Sequence, residues 1–292
     1  MWLLLIALAT DSATLARIAV APAETLTVTS LGEGPAVVLV PGLFGSNFGF
    51  RHVLPRLTAM GYRAVVIEPL AVGTSSRPRR ADYSLAAQAI RLARVLDTLG
   101  LRKAIVVAHS LGAGMALRLA WRRPDLVGGL VLLEGGPAET AASPGFRRAL
   151  EYAPWVKWAG GLGAVQRIIR QGLKESSGNP GWVDREVIAQ YTAGAARDLD
   201  ATLLAYLAIA ESREPTRLGP HLGEIVCPVR LLLGGARHKG GPEPEQVRRL
   251  RQKVLRVSVD TVPGAGHYLH EEQPEVVVQA IEAVMRELRP VG

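Results

Sequence analysis

At 292 residues, 48% of them hydrophobic and 21% charged, the chain can bury one large α/β domain or two small ones and is too apolar for a disordered tract. A single cysteine, Cys227, excludes an intramolecular disulfide and a cysteine-rich metal centre. The net charge of +8 is spread over short arginine clusters such as Arg77-Pro78-Arg79-Arg80, without interleaved aromatics, which argues against nucleic acid and for a solvated surface.

Residues 2–9 are apolar, and Ala19-Val20-Ala21 or Ala21-Pro22-Ala23 has the spacing of a cleavage site. No Lys or Arg precedes the run, Asp11 and Arg17 interrupt the residues after it, and the run is too short to span a bilayer. Residues 1–23 therefore read as a degenerate signal peptide, a membrane-surface anchor or an extra helix. The balance favours export or membrane attachment over the cytoplasm.

From there the elements alternate. Strands are expected at 25–29, 36–40, 63–68, 103–108 and 129–134, with a turn at 32–34. Helices are expected at 50–60 and 84–99, and after residue 110 until Arg123-Pro124. The strands are apolar runs without period-two alternation, as in a parallel sheet covered on both faces. Residues 135–226 hold no convincing strand, only helical segments at 145–152, 165–174, 183–193 and 198–212. The alternation resumes at 229–233, 246–253, 255–262 and 274–288. This is an α/β fold: a doubly wound, mostly parallel sheet from 24–134 and 227–292, with a helical cap at 135–226. Trp155, Trp158, Trp182, Tyr191 and Tyr206 sit in that cap and are candidates to line a pocket. Cys227, before Pro228 at the start of an apolar run, reads as a buried structural thiol.

The most informative stretch is Ile105-Val106-Val107-Ala108-His109-Ser110-Leu111-Gly112-Ala113-Gly114. A β-branched run stops at a Ser with small residues two before and two after it, and a helix comes next. Such a strand–turn–helix lifts the Ser hydroxyl clear of the sheet and aims backbone amides beside it, a layout suited to an attacking alkoxide and the oxyanion it makes. A Ser merely capping a helix after a buried strand is the plainer alternative.

With the elbow, the Gly-rich segment Gly264-Ala265-Gly266-His267-Tyr268-Leu269-His270-Glu271-Glu272-Gln273-Pro274 and the cap position, the chain resembles the α/β-hydrolase family from about Glu24 to Arg289. The elbow reads Ala-x-Ser-x-Gly where that family usually has Gly-x-Ser-x-Gly. The resemblance implies Ser110 as nucleophile and His267 as base. It also implies two oxyanion-hole amides, one from Leu111 and one from the loop Pro41-Gly42-Leu43-Phe44, at Leu43, with Phe44 as the second choice. Glu68, ending a strand, matches a structural position. The imidazole needs a carboxylate to fix its tautomer. Most relatives place an Asp after the strand that is here 229–233, but this chain has His238 there. A known alternative in the family is the end of the strand after the elbow helix, which gives Glu134, with Glu243 as runner-up and a site without a functional acid as the remaining alternative.

The expected activity is a cofactor-independent serine hydrolase, with no metal, cleaving a small, moderately apolar carboxylic ester through an acyl-enzyme. Acyl transfer, or carbon–carbon or peptide-bond cleavage, could run on the same triad, since fold does not fix function. Dehalogenases and epoxide hydrolases of the family use an Asp at the elbow, so Ser110 argues against both. A binding protein on a hydrolase scaffold is the non-enzymatic alternative. No nucleic-acid partner is expected. Membrane contact would come through residues 1–23, and the oligomeric state is not legible.

Overall fold

A computed structural model describes residues 13–142, 147 and 160–288. Eight strands form one sheet in the order β1-β2-β4-β3-β5-β6-β7-β8. They are β1 Thr14–Ala21, β2 Glu24–Leu31, β3 Ala36–Val40, β4 Arg63–Glu68, β5 Ala104–His109, β6 Val127–Leu133, β7 Val229–Gly234 and β8 Val257–Val262. The pairs β1–β2 and β2–β4 are antiparallel and every other pair is parallel.

The helices are α1 Leu54–Ala59, α2 Leu85–Thr98, α3 Leu111–Arg122, α4 Gly161–Glu175, α5 Arg185–Tyr191, α6 Ala193–Arg197, α7 Leu199–Glu211, α8 Pro244–Lys253, α9 Leu269–Glu272 and α10 Pro274–Leu288. Among them no helix is long and apolar enough to cross a membrane. The expected helix over 50–60 is instead a single 3-10 turn at Asn47–Phe50 and α1. Pro55 has no N–H to give and sits in the first turn of α1, so the helix starts beside it.

Successive residues of the central strands feed opposite cores. Val38, Val40, Val106 and Leu130 pack with Leu92 and Leu96 of α2 and Leu117 of α3, whereas Val37, Leu39, Val107 and Val131 pack with Leu57 of α1 and Val277 and Ile281 of α10. With both faces covered, period-two patterning vanishes, which is why the strands are unbroken Val/Leu/Ile runs. Among the described residues, the helices α4 to α7 lie between β6 and β7 in sequence. Of the expected helix at 145–152 only Arg147 is among the described residues, and it is helical.

The expected start of the sheet at residue 24 is corrected: Thr14–Ala21 forms a hairpin with β2, pairing Thr14 with Ser30 and Ile18 with Leu26. It is an edge strand, with Leu15 exposed and Val20 buried. A strand half in water carries a weak hydrophobic pattern. The apolar run of residues 2–9 lies outside the described residues.

Two histidines are sealed beneath the carboxyl edge of the sheet. His109 faces His270 with ring centroids 4.5 Å apart, and His270 leans on Phe50 at 4.9 Å. Burial holds both below the usual histidine range, His270 at about 3. Between pH 6.5 and about 3 the unfolded chain binds the proton that folded His270 refuses, so stability rises with pH across that window and is lost on acidification. Each such group contributes up to about 1.4 kcal/mol per pH unit. Buried Glu271, pushed up by burial, acts in the opposite sense and is present with or without His270. His270→Leu is therefore expected to lose less Tm than the unaltered protein between pH 7 and pH 5. Equal losses in a calorimetric series would contradict the assignment.

Candidate active site

Ser110 stands between β5 and α3 with φ 51° and ψ −117°, a left-handed conformation that costs a non-glycine residue about 1–3 kcal/mol. Its amide is tied to the Leu133 carbonyl at 2.8 Å, which anchors the turn to β6. The small residue two positions on has a steric cause: a Cβ at Gly112 would lie 2.9 Å from the Val40 carbonyl oxygen and 3.1 Å from that of Pro41. The expected elbow is thus present as a tight, strained turn.

Glu134 comes directly after β6 and is also left-handed, at φ 49°. Its carboxylate is buried and hydrogen-bonded from three directions. The Gly234 amide, ending β7, donates to Oε1 at 2.5 Å. His267 Nδ1 lies 3.4 Å from Oε2. His238 Nε2 lies 2.9 Å from the same oxygen. Burial alone would raise the Glu134 pKa, but the bonds from His267, Gly234 and His238 outweigh it and hold the group below its ordinary value. Space for the carboxylate depends on Gly241, because a Cβ there would run into Oε2. A Cβ on neighbouring Gly240 would lie 2.9 Å from His267 Nδ1. Glu243, the alternative acid, also borders the cavity but heads α8, where its amide donates to Gln246 Oε1 at 3.1 Å.

His267 is held from behind and from above. Its carbonyl oxygen meets His109 Nε2 at 2.9 Å, and its amide donates to the Ser176 carbonyl, at the end of α4, at 2.7 Å. Glu272 ties the same loop to the chain after α4, accepting from the Gly266 amide at 3.1 Å and from the Gly178 and Asn179 amides at 2.8 and 2.9 Å. His109, next to Ser110 in sequence, thus turns under the site and props the histidine loop.

Ser110, His267 and Glu134 border one cavity of about 610 Å³ with Leu43 and Leu111. Leu111 opens α3, where amides have no intrahelical acceptor. Gly42 lets the Leu43 loop press on the elbow; a Cβ there would be 3.1 Å from Ser110 Cβ. Helices α4 and α7 supply apolar wall, including Ile169, Leu173 and Leu203, and Tyr191 and Tyr206 supply aromatic wall.

The expectation for Trp182 is corrected. It packs on Tyr268 and Tyr191 at 5.3 and 6.0 Å between ring centroids and bonds Ser177 Oγ at 3.1 Å, behind the cavity wall. Its indole N–H found a hydroxyl there, which draws the ring away from the cavity. Trp155 and Trp158 lie outside the described residues. Glu68 ties loops, accepting from the Asn47 amide at 2.9 Å and the Thr74 amide at 2.7 Å. Cys227 is a buried free thiol, pushed by burial to about 11.

Sequence reasoning noticed His238 only as an occupant of the place where an acid is more common. The structure brings it onto the Glu134 carboxylate. Glu134, His238 and His267 hold one carboxylate oxygen and two ring nitrogens within 4.8 Å of one another. Both ring nitrogens hydrogen-bond the same Glu134 oxygen, so the cluster is a carboxylate–imidazole network.

A model of the alpha/beta hydrolase family matches residues 37–280. The chain is 26% identical over 278 residues to the sn-1-specific diacylglycerol lipase ABHD11 of Mus musculus, covering 86% of this chain and 81% of that protein. It is 38% identical over 100 residues to epoxide hydrolase B of Mycobacterium tuberculosis, 34% of this chain and 28% of that protein. Among solved structures, an esterase from Thermogutta terrifontis superposes with a TM-score of 0.74 at 23% identity, covering 94% of this chain and 99% of the other. The epoxide hydrolase CorEH superposes at 0.79 and 20% identity, covering 95% and 100%. At those identities the structural likeness speaks to fold. With the family model spanning most of the chain on a sheet of this topology, the protein belongs to the alpha/beta hydrolase family.

Proposed function

We propose that the protein is a serine hydrolase that cleaves carboxylic esters of moderately apolar character, with Ser110, His267 and Glu134 as its catalytic triad. The observation that carries the reading is the contact of Glu134 Oε2 with His267 Nδ1 at 3.4 Å in the cavity that the Ser110 elbow borders. A carboxylate on Nδ1 fixes the proton there and leaves Nε2 to take the serine proton. Ser110 Oγ attacks the ester carbonyl carbon as His267 accepts its proton. The tetrahedral oxyanion is met by the Leu43 and Leu111 amides. Collapse breaks the bond to the alkoxy oxygen, which leaves as the alcohol with the proton from His267. Water, deprotonated by the same base, then releases the acid from acyl-Ser110.

The apolar walls from α4 and α7 support an apolar acyl or alcohol group, with the helices between β6 and β7 serving as a cap. The lipase activity named for ABHD11 and the esterase named among the solved structures agree with this class. An epoxide-hydrolase reading, suggested by two of the similar proteins, is disfavoured by Ser110, because that branch of the family takes an Asp at the elbow. With Thr14–Ala21 paired into the sheet, the apolar run of residues 2–9 would supply any membrane contact or export.

Ser110→Ala and His267→Ala are each expected to remove ester cleavage by roughly 10⁶-fold, since triad members act as a unit. An active Ser110→Ala protein in a chromogenic-ester assay would overturn the mechanism. Glu134→Gln is expected to lower turnover by up to about 10⁴-fold with the fold intact by circular dichroism, and Glu243→Gln to change little. The reverse order would move the acid to Glu243.

Pocket selectivity is read from kcat/KM on esters of increasing acyl length. Tyr206→Ala, on the wall, is expected to shift the ratio between short and long chains by roughly ten- to two-hundred-fold. Trp182→Ala, behind the wall, should leave that ratio near its starting value. Identical ratios in all three proteins would place selectivity outside this wall.

A further inference from the structure

His238 has an acceptor at each ring nitrogen. Nδ1 lies 2.8 Å from the Ala236 carbonyl oxygen, and Nε2 lies 2.9 Å from Glu134 Oε2. A carbonyl has no proton to give, so Nδ1 carries one. Glu134 is already accepting from the Gly234 amide and facing His267 Nδ1, the pattern of an ionised carboxylate, so Nε2 carries one as well. A ring that donates from both nitrogens is an imidazolium.

The charged and titratable groups around it agree. Glu134 faces it from the end of β6, and Glu272 of α9 adds a second negative charge nearby. His267 is the titratable group on the histidine loop, with ring centroids 6.4 Å apart. On its own loop, Lys239 is drawn outward to Glu175 at 2.7 Å, and Arg237 is the other cation.

We propose that His238 is a positioning residue, a cation clamped between the Ala236 carbonyl and Glu134 that holds the carboxylate in place for His267 and offsets part of its charge. This rests on the reading of Glu134 as the triad acid. Burial works against a charged His238 ring, but the bonds to Ala236 and Glu134 outweigh it and raise its pKa above the ordinary histidine value. A cation beside the acid weakens the pull of Glu134 on a proton at the base. His238 also sits on the loop that carries Gly240 and Gly241, so its bond to Glu134 pins the loop that must lie flat over the acid and the base.

The test is the pH profile of kcat/KM for a chromogenic ester. His238→Gln can keep a donor near Glu134 but has no charge, and its acid limb is expected to move up by about one pH unit. His238→Lys keeps a cation, and its limb is expected to stay within a few tenths of a unit of the unaltered protein. A residue that only shapes the loop would lower kcat in both variants without separating their limbs, and that result overturns the proposal. A second measurement needs no turnover: ¹⁵N chemical shifts of the imidazoles in the Ser110→Ala protein. Both His238 nitrogens are expected to be protonated at pH 7, and a neutral His238 ring would overturn the proposal. Loss of the triad reading itself would show differently, as absent ester cleavage with His238 still doubly protonated.

Discussion

The hydrogen bonds to the Glu134 carboxylate join the end of β6 to the end of β7 and to the loops that follow β7 and β8. A carboxylate taken out of water must be met by donors or it takes up a proton. Here the donors come from the end of β7 through the Gly234 amide, from the loop after it through His238, and from the loop after β8 through His267. Each bond fixes one segment of chain at the carboxyl edge of the sheet. The glycines of that edge reflect the same packing, since Gly240 and Gly241 lie where side chains would displace His267 or Glu134.

The sheet supplies the stiffness that this arrangement needs. Ser110 and Glu134 both hold left-handed backbone conformations, each costing about 1–3 kcal/mol. Such strain persists only where the surroundings over-determine it. The elbow sits on β5, in the middle of a sheet buried on both faces, and its amide is anchored to β6. Among the described residues, the end of α4 and the segment after it are tied to the histidine loop. Ser176 accepts from His267, and Glu272 bridges the histidine loop to residues 178 and 179.

Much of this was legible in the sequence where local chemistry is strict. The central strands were readable because burial on both faces leaves an unbroken apolar run, and β3 and β4 fall where the pattern ends. The elbow was readable because only small residues fit beside the turn. Strand β1 was not: it is an edge strand with one face in water, adjoining an apolar run that suggested a leader. Nor was the break in the helix over 50–60, because a proline is tolerated in a first turn without by itself marking where that turn begins. At the site, the topology brings Ser110, His267 and Glu134 to the border of one cavity. His238 was seen only as a missing acid, since nothing in a linear sequence tells that the residue occupying that place reaches Glu134. The position of Trp182 depended on a hydroxyl five residues away in the chain, which also leaves no periodic signal.

The central claim is that Ser110 is a nucleophile activated by His267 and Glu134. The most direct measurement is stoichiometric labelling with a fluorophosphonate, with peptide mass mapping of the adduct. The account predicts one adduct per chain, on Ser110, formed far more slowly when Glu134 is replaced by Gln. An adduct on another residue, or labelling of Ser110 at an unchanged rate in that variant, would contradict it.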